Sequence, residues 1–136
     1  MTAPASPALA PDTALTSIGQ IAINVHDVAR ATAFYRDRLG LPLLFEFPGL
    51  AFFMCDRTRL MLTRAEQGEH DHLSSILYFR VGDIVATHAR LLAAGVAFED
   101  APHIVHRAGA TNLWLTSFRD SEHNLLALME DRPADA

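Results

Sequence analysis

The chain has no lysine, a single cysteine and no long apolar run, and each absence excludes a class of function. All eleven cationic side chains are arginine, which excludes Schiff-base and lysine-base chemistry. Cys55 has no second cysteine with which to form an internal disulfide, so we expect a reducing, cytoplasmic compartment. No apolar run approaches the ~20 residues that span a bilayer. The net charge of −5 argues against nucleic-acid and anionic-membrane partners.

The composition that remains is that of one globular domain with two short tails. Of the 136 residues, 50% are hydrophobic and 20% are charged, which is typical of a folded chain with its own core. Residues 1–16 are mostly Ala, Pro, Thr and Ser, without the pattern of a signal peptide, and we predict a flexible tail there. Residues 132–136 are predicted to form a second tail. The domain is therefore predicted over residues 17–131.

The most informative pattern is a repeat of the core sequence. The segment IAINVHDV at residues 21–28 and the segment LYFRVGDI at residues 77–84 each run into a helical stretch that ends at a glycine. Both copies have the order strand, Val-x-Asp-(Val/Ile), helix, glycine and further strands. A repeat on this scale predicts two copies of one structural unit.

Alternating apolar residues and turn signals divide the domain into module one (17–64), a polar linker (65–73) and module two (74–131). Asp27 and Asp83 are the predicted helix N-caps, and Gly40 and Gly95 the predicted helix stops. Module one is predicted to have a strand over 18–25, a helix over 28–39, and strands over 43–47, 50–55 and 59–63. Module two is predicted to have a strand over 75–81, a helix over 84–94, and strands over 96–100 (extendable to 105), 111–118 and 124–129.

Two motifs resemble the vicinal oxygen chelate superfamily, which includes glyoxalase I, extradiol dioxygenases, methylmalonyl-CoA epimerase, and fosfomycin and bleomycin resistance proteins. The segment NVHDVARATAFYRDRLGL is similar to the first-helix signature that ends in Phe-Tyr-x-x-x-Leu-Gly. The segment FRDSEHNLLAL is similar to the Phe-x-Asp-Pro-Asp-Gly-Asn turn before the last strand. The similarity extends over about residues 18–130. It implies an α+β fold in which two tandem βαβββ modules curl around one cleft, often within a homodimer, and we expect a homodimer here.

The resemblance also implies where a metal would bind. Metal-dependent members place ligands at four strand positions, which correspond to Gln20, Met61, Ile76 and Ala127. Such metals need histidine nitrogens and carboxylate oxygens. Gln20 offers a carbonyl oxygen, Met61 only a soft thioether, and the other two side chains cannot bind. We therefore predict no cofactor, and a divalent metal is disfavoured.

The histidines offer no obvious replacement for that metal site. His70 and His72 lie in the polar linker and would trap metal only adventitiously. His103 and His106 are three apart in a predicted strand, so their side chains are expected on opposite faces and should not share a metal. His123 stands where the family usually has glycine, and we expect no chemistry from it.

Strand alternation and the resemblance together predict a mostly apolar cleft with a few polar groups, the usual make-up of a small-molecule site. Arg59 or Arg80 could hold a carboxylate or phosphate through a bidentate contact. His103, near the predicted rim, and Glu46, on the second strand, are the candidate acid–base groups. The predicted substrate-binding residues are Gln20, Asn24, Phe45, Phe53, Arg59, Met61, Tyr78, Arg80, Trp114, Leu115 and Met129.

Three functions are compatible with these residues. The favoured one is a metal-free family member that binds a small organic molecule, either to sequester it or to act on it through protein groups. The second is a metal-dependent lyase, isomerase or dioxygenase with ligands at unusual positions. The third is a dimeric interaction module whose cleft is filled by Met61, Tyr78 and Met129.

Overall fold

The structure is a computed structural model that describes residues 12–65, 68 and 71–135. The described chain forms two mixed sheets with few helices, and the element order of the first half recurs in the second. The predicted α+β fold with two tandem βαβββ modules is therefore confirmed. Residues 1–11, which hold most of the predicted N-terminal tail, lie outside the described residues.

Module one contains the first four-stranded sheet. Its elements are β1 (Gln20–Asn24), α1 (Val28–Ala33), a π-helical segment (Phe34–Arg38), β2 (Leu43–Phe47), β3 (Leu50–Cys55) and β4 (Thr58–Thr63). The strand order is β1-β4-β3-β2, with β1 parallel to β4 and the other pairs antiparallel. The parallel pair brings the first and last strands of the module side by side.

Module two repeats this plan with one additional strand. Its elements are β5 (Leu77–Arg80), α2 (Ile84–Ala93), β6 (Ala97–Phe98), β7 (His103–Ala108), β8 (Thr111–Arg119) and β9 (Leu125–Pro133). The strand order is β5-β9-β8-β6, β7 also pairs with β8, and β5 is parallel to β9. The two edge strands β6 and β7 replace the single strand predicted over 96–100.

The helix ends follow the predicted signals. The Asp27 side chain accepts a hydrogen bond from the Arg30 backbone N–H, and the Asp83 side chain accepts one from the Ala86 N–H, each at 3.0 Å. These contacts satisfy backbone donors that have no partner within the helix. Gly40 and Gly95 have φ values of +78° and +88°, a left-handed conformation that glycine adopts without a steric penalty. Both the predicted caps and the predicted stops are confirmed.

The second half of the first helix differs from the prediction. The backbone N–H of Leu39 bonds to the carbonyl of Phe34 at 3.1 Å, five residues back, so this part is a π-helix rather than an α-helix. The wider turn leaves Phe34 7% and Tyr35 0% exposed, both against the core. Periodicity in the sequence does not distinguish one turn of π-helix from one of α-helix.

One hydrophobic core joins the two modules. It includes Ile23, Phe53 and Leu62 from the first sheet, and Phe118 and Leu126 from the second. The helices contribute further buried side chains from the same side, among them Val28, Ala31, Tyr35, Ile84 and Leu91. Because side chains alternate along a strand, the opposite face of each sheet points away from this core.

Two boundaries differ from the prediction near the C-terminus. β9 was predicted to end at 129 but continues to Pro133, because β8 pairs with it as far as Thr111 opposite Pro133. Residues 132 and 133, assigned to the tail by their sequence, are thus part of the sheet. None of the helices in the described ranges is long and apolar enough to cross a bilayer.

Candidate functional site

Module one presents an apolar surface on the side of its sheet opposite the core. Strand pairing places Phe45 beside Phe52 and Phe47 beside Leu50. The Phe45 ring stacks on Phe47 with centroids 6.4 Å apart and meets Phe52 edge-on at 6.5 Å. Phe45 and Phe47 are 56% and 53% exposed. We call this surface the aromatic face; its members are Phe45, Phe47, Leu50, Phe52, Met54 and Met61.

A fixed arginine borders the aromatic face. The Nε of Arg59 donates to the Oε1 of Gln20 at 2.7 Å, and the guanidinium lies over the Phe52 ring, 4.9 Å from its centroid. Gln20 also donates through Nε2 to the Met61 sulfur at 3.7 Å. Because Arg59 uses Nε for this contact, its two terminal amino groups are left for an incoming anion. Three predicted site residues, Gln20, Arg59 and Met61, are therefore neighbours.

Asn24, another predicted site residue, lies on the same side of the sheet but holds the linker. Its side-chain Nδ2 donates to the His72 carbonyl at 2.8 Å and to the Asp71 carboxylate at 3.3 Å. Its Oδ1 accepts from the Ala65 backbone N–H at 3.1 Å. These contacts position the linker against β1.

Module two presents a more polar surface on the corresponding side of its sheet. Register places Arg80 and Leu115 on either side of Met129, while Tyr78 is 52% exposed. Arg80 donates to Asp131 at 2.9 Å, and both side chains are about half exposed, so the pair is worth at most ~1 kcal/mol and exchanges readily. We call this surface the mixed face; its members are Tyr78, Arg80, Leu113, Leu115, Met129 and Asp131.

Within residues 12–65, 68 and 71–135, both faces are open in a single chain. α1 and α2 cover the opposite side of each sheet, where the shared core lies. Large apolar side chains on or beside the faces remain exposed, among them Phe45, Phe47, Ile76 and Tyr78. One chain thus supplies two walls suited to a binding site.

Two predicted substrate-binding residues, Phe53 and Trp114, lie elsewhere. Phe53 is 0% exposed and packs on the Tyr35 ring, with centroids 6.0 Å apart, so it belongs to the core. Trp114 packs against the same core and lies under the Arg132 guanidinium at 5.4 Å. The prediction that Phe53 and Trp114 line the cleft is wrong, because strand alternation turns both toward the helices.

Glu46 is also misplaced by the sequence prediction. A β-bulge between Leu43 and Phe45 sets the register of β2, and Glu46 pairs with Ala51, which is fully buried on the helix side. Glu46 lines a recess beside the start of α1, together with Val28. It is therefore not on the aromatic face, and the prediction of Glu46 as a base in the cleft is wrong.

His103 lies on the same side of the second sheet as the mixed face, opposite Leu115. Its Nδ1 is 2.8 Å from the carbonyl oxygen of Ala101, and because a carbonyl can only accept, Nδ1 must carry a proton. In the neutral ring the Nε2 lone pair is then the free basic site. Glu99 does not orient this ring, since its carboxylate accepts from the Nε of Arg119 at 2.6 Å.

The prediction that His103 and His106 face opposite sides of a strand is wrong. β7 has a bulge between Ile104 and His106, so His103 pairs with Leu115 and His106 with Leu113. Leu113 and Leu115 are two apart on a regular strand and share a face. The inserted residue thus brings both histidines to the side of the mixed face.

The residues at the four family metal positions do not fit such a metal. Gln20 is engaged with Arg59, Ala127 is 1% exposed and Ile76 is aliphatic. Over residues 12–65, 68 and 71–135, no group of three or more His, Cys, Asp or Glu side chains is arranged to hold an ion. His70 lies outside the described residues, so the linker metal trap remains a prediction.

Sequence reasoning missed a buried polar cluster in the turn between β8 and β9. We call Asp120, Glu122 and Asn124 the clasp; they are 5%, 4% and 1% exposed. Asp120 accepts from the Tyr35 hydroxyl at 2.7 Å, and Glu122 accepts from Arg30 Nε at 2.7 Å. The run of polar residues in FRDSEHN directly before an apolar strand was the available signal.

The clasp joins the two modules through charged as well as neutral hydrogen-bonding groups. Burial disfavours the ionised form of Glu122, yet hydrogen bonds from Arg30, Ser121 and two backbone N–H groups outweigh it and lower its pKa to about 2. Burial, followed by the nearby Asp120 carboxylate, raises the pKa of Tyr35 well above its usual value. Asn124 completes the link by donating to the Asn24 carbonyl at 2.9 Å.

Comparison with known proteins identifies relatives over nearly the whole domain. YraH, an uncharacterized protein of Bacillus subtilis strain 168, is 30% identical, covering 80% of this chain and 94% of that protein. A lactoylglutathione lyase structure from Agrobacterium tumefaciens is 26% identical with a TM-score of 0.66, covering 85% of this chain and 94% of that one. The antibiotic binding protein TnmS3 from Streptomyces sp. CB03234 shares the fold, with 23% identity, a TM-score of 0.69, and coverage of 90% and 99%.

The family assignment follows from the match of a whole-domain model together with the two βαβββ modules. The model of the Glyoxalase/Bleomycin resistance protein/Dioxygenase superfamily matches residues 17–128, and the chain belongs to that superfamily.

Proposed function

We propose that the protein binds a small, planar, mostly apolar organic acid on its aromatic face, without the metal ion that many relatives use. A second copy of the chain closes the site with its mixed face. The observation that carries this proposal is the exposed group of Phe45, Phe47 and Phe52 with Arg59 fixed beside it. Cys55, which is not in a disulfide, suits a reducing cytoplasm.

The apolar part of the ligand is inferred from the phenyl rings. Rings that are about half exposed leave apolar area in water, and a bound molecule would remove that area from solvent. A planar aromatic ligand adds offset or edge-on contacts worth about 0.5–1.5 kcal/mol per ring pair beyond the area effect. Met54 and Met61 border the rings with flexible side chains that adapt to different outlines.

The acidic part is inferred from Arg59. Its hydrogen bond to Gln20 and its position over Phe52 fix the guanidinium plane before a ligand arrives, which reduces the ordering cost of binding. Two terminal amino groups in one plane match a carboxylate. A neutral ligand would make no comparable contact there.

We infer the second copy from the exposure of the aromatic face and the mixed face. The clasp holds the two sheets of one chain with their covered sides together, so the mixed face of the same chain points away from the aromatic face. The mixed face of another chain would cover the rings and bring Tyr78, Arg80 and His103 to the ligand. Large exposed apolar areas rimmed by polar groups are typical of interfaces between chains.

The side chains at the four family metal positions favour ligand binding over the metal-dependent catalysis of some superfamily members. TnmS3 is described as an antibiotic binding protein and the Agrobacterium structure as a lactoylglutathione lyase, so the superfamily includes both uses. Gln20, Met61, Ile76 and Ala127 lack the histidine and carboxylate ligands of the metal-dependent members.

The test is calorimetric titration of the untagged protein with 1-naphthoate, 2-anthroate and anthraquinone-2-carboxylate, each beside its neutral amide. We expect the acids to bind, and Phe52→Ala and Arg59→Ala each to weaken them at least about tenfold, roughly 1.4 kcal/mol. Arg59→Ala should leave the amides unchanged, because they do not use the guanidinium. Val85→Ala, an exposed apolar position on α2, is the matched control.

Sedimentation of the same samples tests the second copy. We expect a dimer that Phe45→Asp converts to a monomer with weakened ligand binding. Acids that bind equally well to wild type, Phe52→Ala and Arg59→Ala would contradict the proposed site, and a wild type that stays monomeric with ligand bound would contradict the closing of the site by a second copy.

A further inference from the structure

We propose that His103 and His106 together bind one late first-row divalent cation, such as Zn²⁺, at the edge of the second sheet. Neither histidine is at one of the four family metal positions, and of the two only His103 borders the proposed organic ligand site. The proposal rests on the bulge in β7, which places both imidazoles on one side of the strand.

The spacing of the two histidines suits a shared ion. They lie opposite Leu115 and Leu113, which are two residues apart on β8. Two residues of extended strand correspond to about 7 Å between side-chain origins. Imidazole arms that start at this separation and point in one direction can converge on an ion about 2.0–2.1 Å from each nitrogen.

The ring of His103 is already held in a ligating form. Its Nδ1–H donates to the Ala101 carbonyl at 2.8 Å, so Nε2 is the nitrogen free to bind a metal. Metal-binding histidines commonly donate their second ring N–H to a backbone carbonyl, which fixes both tautomer and ring orientation. The bend that carries Ala101 and Pro102 into β7 supplies this contact without any other side chain.

The two imidazole ligands determine which divalent ions the site prefers. Imidazole ligands favour Zn²⁺, Ni²⁺ and Cu²⁺, whereas Mg²⁺ and Ca²⁺ favour oxygen ligands. Both histidines are exposed, so water can fill the remaining coordination positions. Arg80, a positive charge on the mixed face, is paired with Asp131 at 2.9 Å. Open positions on the ion would lie beside the mixed face, where a ligand group could replace a water.

The test is Zn²⁺ titration of the untagged full-length protein by calorimetry, with Mg²⁺ as the comparison ion. We expect one Zn²⁺ per chain and at least a tenfold loss of affinity in His103→Ala and in His106→Ala. The double variant should lose no more than either single variant, because both ligands hold the same ion. Matched melting temperatures of the metal-free proteins establish that the variants fold.

Three further variants separate this site from ordinary surface histidines. Exchange of two neighbouring residues, His106→Arg with Arg107→His, places the second histidine opposite Asn112 on the other face of the strand, and should abolish the Zn²⁺ site while the number of histidines stays the same. His88→Ala, on α2, and His72→Ala, in the linker, should bind Zn²⁺ as the wild type does. Unchanged binding in either single variant at 103 or 106, or a loss confined to His72→Ala, would overturn the proposal.

Discussion

Module one and module two have the same plan but different outward faces. In both, an aspartate caps the helix through a 3.0 Å bond, a left-handed glycine follows the helix, and the first strand runs parallel to the last. The outward side of the first sheet is aromatic with one fixed arginine, whereas that of the second combines Tyr78, Arg80 and two histidines. The repeated pattern thus specifies the buried side of each module, and the outward side is free to diverge.

The turn before the last strand shows the same divergence. In module one, β3 and β4 are joined by the exposed two-residue turn Asp56-Arg57. In module two, the equivalent turn is the clasp, whose Asp120 and Glu122 carboxylates are buried against α1. One turn only reverses the chain, while the other also fixes the two modules together.

The largest expected effect comes from breaking the clasp. Asp120→Ala removes the acceptor of the Tyr35 hydroxyl and of the Glu122 and Asn124 backbone N–H groups, and each buried unpaired group costs about 1–3 kcal/mol. We expect urea denaturation to show a loss of at least about 3 kcal/mol in the free energy of unfolding. Asp56→Asn, in the equivalent turn, should change it by less than about 0.5 kcal/mol. Similar losses in the two variants would refute the contrast between the turns.

An effect of intermediate size on the free energy of unfolding is expected when the pH is lowered. The folded-state pKa of Glu122 is lowered from 4.5 to about 2, so its contribution is complete above pH 4.5 and is lost as the pH falls toward 2. A shift of this size corresponds to about 3 kcal/mol. Unfolding by urea between pH 6 and 2 should show this decline in the wild type and a flatter profile in Glu122→Gln. Asp37→Asn, which breaks only the exposed pair with Arg36, should keep the wild-type slope.

The smallest expected effect comes from relieving backbone strain in the two turns. His123 and Asp56 have φ values of +69° and +54°, a region that costs a side-chain-bearing residue about 1 kcal/mol. His123→Gly should raise the free energy of unfolding by about 0.5–1 kcal/mol, and Asp56→Gly by less, since aspartate tolerates this region. Gly109→Ala, at φ +73° with open space around it, should lower stability by a similar amount. A lower free energy of unfolding in His123→Gly would contradict this expectation and would mean that the imidazole makes a stabilising contact.

Much of the fold could be predicted because its signals are local. The bounds of β2 and β3 agree with the predicted strands, and α2 differs from its prediction by one residue. The π-helical segment could not be predicted, since Phe34 and Tyr35 fit either helix and burial decides between them. The bulges in β2 and β7 were also missed, because an inserted residue is defined by the partner strand rather than by its own sequence.

The candidate site was predicted less completely than the fold, because the facing of its residues depends on partner strands that are distant in the sequence. Gln20, Arg59 and Met61 lie together as expected, because a regular register follows from alternation alone. Phe53, Trp114 and Glu46 were assigned to the wrong side, since facing depends on which partner residue each one meets. His103 and His106 came to share a face only through the bulge.

By itself the sequence determined the two-module plan and the helix caps and stops. These follow from side-chain type and from contacts within a few residues. Tertiary structure alone decided that the modules join through their helix-covered sides, that the clasp is buried and charged, and that aromatic and histidine-bearing surfaces are left open. Such features depend on pairs distant in the chain, such as Tyr35 with Asp120, whose proximity has no local signal.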